Sequence, residues 1–170
     1  MTGKLRFYGF VTVLASMVIF LLGLAGYHYS VKTTGRVVRL ATEPVDPRSL
    51  FRGDYVQLRY DINTIQAREH EVSDGDRVYV TLQRSDTVWE AQYIQRQYPD
   101  SVRRNEAVIR GRYRETDNSG LRVRYPSIES YFVPEGKGRR IERFQGKGLR
   151  VEVALGSSGY PVIRRLIMPE

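Results

Sequence analysis

The stretch that decides the fold is Pro44–Tyr60, which reads PVDPRSLFRGDYVQLRY. In its last part, Val56, Leu58 and Tyr60 alternate with other residues and therefore share one side of an extended chain. Since side chains alternate with a period of two along a strand, the pattern predicts a half-buried β-strand from Tyr55 to Ile62. Leu58 and Tyr60 are then expected to point into the core.

The part of the stretch before this strand predicts a tight corner. Asp46 and Pro47 are typical of the start of a turn, because proline fixes its own backbone and aspartate bonds nearby amides. Gly53 permits a positive φ or a bulge where the corner meets the strand. On the structural interpretation, the corner only guides the chain into the strand.

The outer side of this corner is also a candidate binding site. Arg48, Arg52, Asp54 and Tyr55 are expected to form a polar cluster there. Two guanidinium groups can hold a carboxylate or a phosphate through paired hydrogen bonds. Alternatively, Asp54 neutralises one of the arginines within the protein, and the cluster has only a structural role.

Short alternating segments recur on both sides of this stretch, with turn residues between them. They predict a mainly β fold, an antiparallel sandwich or a partly open barrel. Trp89, Ala91 and Tyr93 are expected on one face of their strand, Asn63–Asp76 is predicted to be a loop, and Gly138–Phe144 a short helix. The other predicted strands are Arg36–Thr42, Arg77–Gln83, Thr87–Ile94, Ala107–Tyr113, Leu121–Tyr125, Ile128–Val133, Leu149–Leu155 and Tyr160–Met168.

The N-terminal part predicts one transmembrane helix before this β domain. Phe7–Tyr27 contains no charged residue, and a helix of roughly 20 apolar residues is long enough to cross a bilayer. The resulting organisation is a short cytoplasmic tail (residues 1–6), the helix (7–27), a linker (28–35) and a β-rich domain (36–170). A cleaved signal peptide is the alternative, with Gly23-Leu24-Ala25 as a poor small-x-small cleavage site.

The charges near the helix leave its orientation ambiguous. Lys4 and Arg6 precede the helix, whereas Lys32, Arg36 and Arg39 follow it. Long domains cross the membrane largely regardless of charge, so we expect the N-terminus in the cytoplasm and the domain outside. The chain has no cysteine, which excludes disulfides but is compatible with either compartment.

The net charge of +8 indicates attraction to anionic surfaces. The basic residues are mainly arginine. A biased base composition of the genome would also give this excess of arginine. Acidic residues are interspersed among the basic ones, and this argues against a nucleic-acid partner. An anionic ligand of the cell envelope remains one possible partner.

The opening stretch resembles a known family. Gly53, Asp54, Tyr55, Leu58 and Tyr60 are similar to the spelling of the GDYXXLXY proteins, a bacterial membrane-anchored family of uncharacterised function. Residues 44–50 resemble the segment that usually precedes this motif in the family. Residues 131–138, followed by Glu142, resemble the family's second signature. The resemblance implies a bacterial membrane protein with one N-terminal helix before a β-rich domain, sometimes associated with a multi-spanning membrane protein. Together with the orientation expected above, it predicts a single-pass protein of the bacterial inner membrane with an extracytoplasmic β domain. It implies no catalytic residue.

The second signature adds two candidate site residues. Tyr131 and Glu135 are predicted to line a groove beside the corner of the first signature. In the structural alternative, Glu135 caps the short helix that follows. We expect no metal site, because neither His28 nor His70 has a histidine or cysteine at metal-ligand spacing, and we expect no cofactor.

These features favour a non-enzymatic function. The main hypothesis is an accessory or interaction subunit of a membrane complex, and the alternative is a binding module for an anionic envelope ligand. A remote alternative is a serine hydrolase, since Ser49 before Gly53 and Asp54 superficially resembles membrane signal peptidases. Its base would have to be a lysine, and Lys137 and Lys147 lie in glycine-rich turns that desolvate a side chain poorly.

Overall fold

The computed structural model describes residues 2–43, 55–65, 72–114, 121–133, 141, 144 and 147–169. These residues form one long helix followed by ten β-strands, and every pairing between strands is antiparallel. The prediction of a mainly β fold after one N-terminal apolar helix is therefore confirmed. The described strands do not close into a barrel.

The helix α1 (Thr2–Thr34) is apolar around its whole circumference. It is long and apolar enough to cross a membrane, and none of its most apolar window is buried by the rest of the protein. The helix begins within the predicted tail and continues through the segment interpreted as a linker. Gly35 follows its end, and the Gly35 amide donates a hydrogen bond to the Val31 carbonyl at 2.9 Å.

The strands form three sheets. The first is three-stranded, in the order β1-β9-β10, and the second is the pair β2-β8. The third is five-stranded, in the order β3-β7-β6-β4-β5. The strands are β1 (Arg36–Ala41), β2 (Tyr55–Gln57), β3 (Thr64–Ile65), β4 (Arg77–Ser85), β5 (Val88–Gln95), β6 (Glu106–Arg114), β7 (Leu121–Arg124), β8 (Ser130–Phe132), β9 (Arg150–Leu155) and β10 (Pro161–Ile167).

The core lies between the inner faces of these sheets. Alternate residues of each long strand enter one continuous apolar cluster, as their period of two predicts. Burying each large aliphatic side chain contributes about 1.5–3 kcal/mol, so this cluster is the main source of stability. Its fully buried members include Val38, Leu40, Val78, Val80, Leu82, Ile109, Val123, Val151 and Val153.

Two strands differ from their predictions. The predicted strand Tyr55–Ile62 ends as β2 at Gln57, and residues 61–63 form a 3-10 turn, although the predicted alternation of burial persists to Ile62. In β5, a bulge shifts the register between its pairings with Thr81 and Leu82. Tyr93 consequently faces solvent, at 44% exposure, instead of sharing the inner face of Trp89 and Ala91.

Two other predicted segments are only partly described. The predicted loop Asn63–Asp76 begins in the 3-10 turn and continues as β3, which pairs with β7. Most of the predicted helix Gly138–Phe144 lies outside the described residues. Within it, Ile141 is helical and buried, and its carbonyl accepts a hydrogen bond from the Phe144 amide at 3.0 Å.

The last turns of α1 pack against the β domain. Val31 is 5% exposed, and a methyl group added at Gly156 would lie 3.1 Å from Val31 Cγ2. The rings of His28 and Tyr160 meet edge to face at 5.4 Å between centroids, and the Tyr27 hydroxyl lies 3.5 Å from the Ser158 hydroxyl. The domain therefore contacts the helix where its apolar run ends, and no extended stalk separates the two.

Candidate functional site

The structure describes the first signature only from Tyr55 onward. Leu58 and Tyr60 are 2% and 0% exposed, so both lie in the core. The backbone of Tyr55 begins β2, but its side chain is not described. The remaining predicted site residues lie outside the described residues, and a binding role for them stays a prediction: Arg48, Arg52, Gly53, Asp54 and Glu135.

Tyr60 joins the first signature to the segment that leads into the second. Its hydroxyl donates a hydrogen bond to the Ile128 carbonyl at 2.6 Å. In return, the Tyr125 hydroxyl donates to the Ile62 carbonyl at 3.0 Å. Each tyrosine thus reaches across the core to the backbone beside the other, and the two bonds hold the segments together.

Both hydroxyls serve structure rather than proton transfer. Burial raises the pKa of Tyr60 far above the usual range, and the negative charge of Glu129 raises it further. Burial likewise raises the pKa of Tyr125. Both side chains are therefore neutral hydrogen-bond donors at physiological pH.

Asn63 completes this arrangement. Its Oδ1 accepts a hydrogen bond from the Tyr60 amide at 2.6 Å, and its Nδ2 donates to the Val123 carbonyl at 2.7 Å. A buried amide side chain is favourable only when such partners satisfy it. Asn63 thereby fixes the 3-10 turn against β7.

Glu129, the residue before β8, is held by hydrogen bonds of its side chain and its backbone. The Glu129 carboxylate accepts hydrogen bonds from the Arg124 guanidinium and from the Tyr125 amide, the latter at 3.0 Å. Its backbone carbonyl accepts a hydrogen bond from the Leu58 amide at 2.8 Å. Glu129 therefore links both segments on which the signatures lie.

The two signatures meet in the pair β2-β8. Tyr55 lies opposite Phe132, and Val56 lies opposite Tyr131. We call residues 55–57 and 130–132 the signature surface. Tyr131 packs partly against the core, whereas the side chain of Phe132 is 77% exposed. Tyr131 therefore lies beside the strand that follows the predicted corner, and the groove predicted for Tyr131 and Glu135 beside the corner itself stays a prediction.

Sequence reasoning did not identify Asn63, Tyr125 or Glu129. One local signal could have indicated Asn63, because it follows Tyr60 by three residues, the spacing of a side chain that bonds back to the start of a helical turn. Tyr125 gives no such signal, since its partner Ile62 is 63 residues away in the chain.

The described residues include only part of the group that the serine-hydrolase alternative requires. Ser49 and Lys137, named for the serine-hydrolase alternative, lie outside the described residues, and Lys147 is exposed. Among the residues that the structure describes, no three histidine, cysteine, aspartate or glutamate side chains are grouped as for a metal ion.

Comparison with known proteins identifies one family. The family model described as "GDYXXLXY protein" matches residues 17–166, which is most of the chain. No curated protein and no solved structure matches. The matched range includes the last half of the apolar helix, both signatures, strands β1 to β9 and all but the last residue of β10. The chain therefore belongs to the GDYXXLXY protein family.

Proposed function

We propose that this protein is a membrane-anchored interaction subunit, in which α1 crosses the bacterial inner membrane and the signature surface binds a multi-spanning membrane protein. The observation that carries the proposal is the pairing of β2 with β8, which brings the two signatures to one surface beside the exposed Phe132. Exposed aromatic side chains are typical anchors of protein interfaces.

The shape of the molecule supports such a partner. The strand β1 starts directly after α1 and rises about 20 Å before the chain reaches Thr42. Thr42 forms an isolated bridge with Tyr60, which ends the first signature. The signature surface therefore belongs to the part of the domain beyond the first contacts with the helix. Loops that a membrane protein extends from the bilayer could reach this level.

The helix supports the proposed setting. Its large hydrophobic side chains from Phe7 to Leu24 are exposed, which is favourable in lipid or against another helix and unfavourable in water. We propose that the domain lies outside the cytoplasm. The chain has no cysteine, so a Tyr93→Cys variant provides a single labelling site in the β domain.

Labelling that cysteine tests the setting. A membrane-impermeant maleimide should modify the Tyr93→Cys variant in intact spheroplasts, and the mass of the purified protein should correspond to the uncleaved chain. Labelling only after the membrane is permeabilised would contradict the proposed orientation. A mature chain that begins near Gly26 would contradict the retained anchor.

Site-specific crosslinking tests the partner. A photoreactive phenylalanine analogue at Phe132 should crosslink one multi-spanning membrane protein in intact cells, which mass spectrometry then identifies. The same analogue at Tyr93, an exposed aromatic position on β5, is the matched control and should not crosslink that protein. Equal crosslinking from both positions, or only uncrosslinked monomer from both, would exclude the signature surface as the interface.

A further inference from the structure

The outer face of the five-stranded sheet carries a row of arginines on three neighbouring strands. Arg77 on β4 lies directly opposite Arg112 on β6, and Arg112 lies opposite Arg124 on β7. Arg110 is two residues from Arg112 and therefore projects from the same face of β6. Like charges directly opposite each other destabilise an antiparallel pair, so a negative charge bound beside this row would stabilise the sheet.

Carboxylates of the protein compensate the edge of this row. Glu129 binds Arg124, and Asp74 Oδ2 lies 3.0 Å from Arg114 Nη1. In the described part of the chain, no carboxylate lies within 4.0 Å of Arg77, Arg110 or Arg112. Arg112 donates one hydrogen bond to a neutral acceptor, the Gly75 carbonyl, at 3.2 Å. The centre of the row therefore keeps a positive excess.

These three arginines line a cavity of about 380 Å³, which we call the arginine pocket. Ser127 and Tyr160 also line it. The guanidinium of Arg110 lies over that ring, 4.9 Å from its centroid, and the Arg110 amide donates to the Gly159 carbonyl at 2.8 Å. The position of Arg110 is thus fixed, and the volume lies within the usual range for small-ligand sites.

Tyr160 connects the arginine pocket to the helix. Its ring contacts the rings of His28 and Tyr27, with centroids 5.4 Å and 6.3 Å apart. Tyr27 is the last residue of the apolar run, and the headgroup layer of a bilayer extends roughly 5–8 Å beyond the hydrocarbon core on each side. With α1 inserted, the arginine pocket lies beside the headgroups.

We propose that the arginine pocket binds the phosphate of an anionic phospholipid headgroup. Guanidinium groups hold phosphate oxygens through paired, charge-assisted hydrogen bonds, and the Ser127 hydroxyl supplies a further donor. The bound anion offsets the repulsion between Arg77 and Arg112. None of the described residues that line this site belongs to the signature surface, and the proposal goes beyond the proposed function, although its membrane source rests on the proposed insertion of α1.

Short-chain lipids test the site on the full-length protein in a neutral detergent. Dihexanoyl phosphatidylglycerol should bind with one-to-one stoichiometry in isothermal titration calorimetry, and affinity should fall as salt is added. Arg110→Gln and Arg112→Gln should each weaken binding roughly tenfold or more, because each removes a charge-assisted hydrogen bond. Arg59→Gln removes an exposed arginine that does not line the pocket and should leave the affinity unchanged.

The same variants distinguish lost binding from lost folding. Arg112→Gln removes like-charge repulsion, so its melting temperature should equal or exceed that of the parent protein. Equal lipid affinity in all variants, or an equal loss in Arg59→Gln, would overturn the proposal. Inorganic phosphate identifies the source: lipid binding at least tenfold tighter supports a headgroup site, and equal or tighter binding of inorganic phosphate would overturn the lipid assignment.

Detergent titration also separates this proposal from the proposed function. Lipid binding in micelles does not require α1 to span a bilayer or the signature surface to hold a partner. A protein that fails to bind phosphatidylglycerol but shows the predicted crosslink at Phe132 would contradict only the arginine pocket. The converse result would contradict only the proposed interface.

Discussion

The core and the helix contact use tyrosine in opposite ways. In the core, Tyr60 and Tyr125 are 0% exposed, and each hydroxyl donates one hydrogen bond to a backbone carbonyl. At the helix contact, Tyr27 is 47% exposed, and its hydroxyl lies 3.5 Å from the Ser158 hydroxyl. The first arrangement holds backbone segments together within the core. In the second, the ring of Tyr27 only packs against the ring of Tyr160.

This difference has an energetic consequence. Removing a buried donor leaves its acceptor without a partner and without water, which costs about 1–3 kcal/mol. Removing a partly exposed donor costs little, because water replaces it. We therefore expect the free energy of unfolding to depend more on the hydrogen bonds of Tyr60 and Tyr125 than on the hydroxyl contact of Tyr27.

The largest effect is expected from Leu58→Ala. Leu58 is 2% exposed, so truncation removes buried apolar surface and leaves a cavity, at a cost of about 2–5 kcal/mol in the free energy of unfolding. Arg59→Ala changes the exposed neighbour and should alter the same free energy by less than about 0.5 kcal/mol. Denaturant unfolding in mild detergent measures both, and similar losses in the two variants would contradict the core role of Leu58.

The sequence predicted the burial of this segment better than its secondary structure. Alternation alone identified Val56, Leu58, Tyr60 and Ile62 as inward-facing, because a period of two holds for any extended chain. It did not predict that β2 ends at Gln57, since the end depends on which strand lies alongside. The bulge in β5 was unpredictable for the same reason, as it depends on pairing with β4.

The candidate sites show the same limit more strongly. In the sequence, Tyr60 is recognisable only as part of a family signature. Its hydrogen-bond partner is the backbone carbonyl of Ile128, 68 residues away. Arg77 and Arg112 each look like an ordinary exposed arginine within its own strand. Only the register of β4 against β6 places them opposite each other, and register is a property of the folded sheet.

Removing the hydroxyl from Tyr60 and from Tyr27 compares the buried and the exposed tyrosine directly. Tyr60→Phe should lower the free energy of unfolding by about 1–3 kcal/mol, because the buried Ile128 carbonyl loses its donor. Tyr27→Phe should change it by less than about 0.5 kcal/mol, since a hydroxyl contact of 3.5 Å contributes little. Thermal and denaturant unfolding of the two variants measure the difference.

A double variant sharpens this comparison. Tyr60→Phe and Tyr125→Phe should be non-additive, because both hydroxyls hold the same two segments together. Tyr60→Phe and Tyr27→Phe should be additive, since no residue is shared between their contacts. Equal destabilisation by Tyr27→Phe and Tyr60→Phe would contradict the distinction between the buried and the exposed tyrosine hydroxyls.

A smaller effect than that of Leu58→Ala or Tyr60→Phe is expected from Glu152, on the central strand of the three-stranded sheet. Hydrogen bonds from Arg165, with Oε2 at 2.7 Å from Nε, and from Arg39, at 3.1 Å, lower the pKa of this carboxyl against the opposing effect of burial. The unfolded chain therefore takes up the proton at a higher pH than the folded protein does. The stabilisation is complete above the usual pKa of 4.5 and is lost as the pH falls through the lower, folded-state pKa.

Glu152→Gln tests this pH dependence. Both arginines are about half exposed or more, so screening by water should keep the loss at pH 7 below about 1 kcal/mol. The loss should shrink as the pH falls below 4, where the parent protein also loses the charge. Glu90→Gln, at an exposed position on β5, should give no such trend. Denaturant unfolding from pH 3 to 7 measures both variants, and a pH-independent difference for Glu152→Gln would show that its packing, rather than its charge, stabilises the sheet.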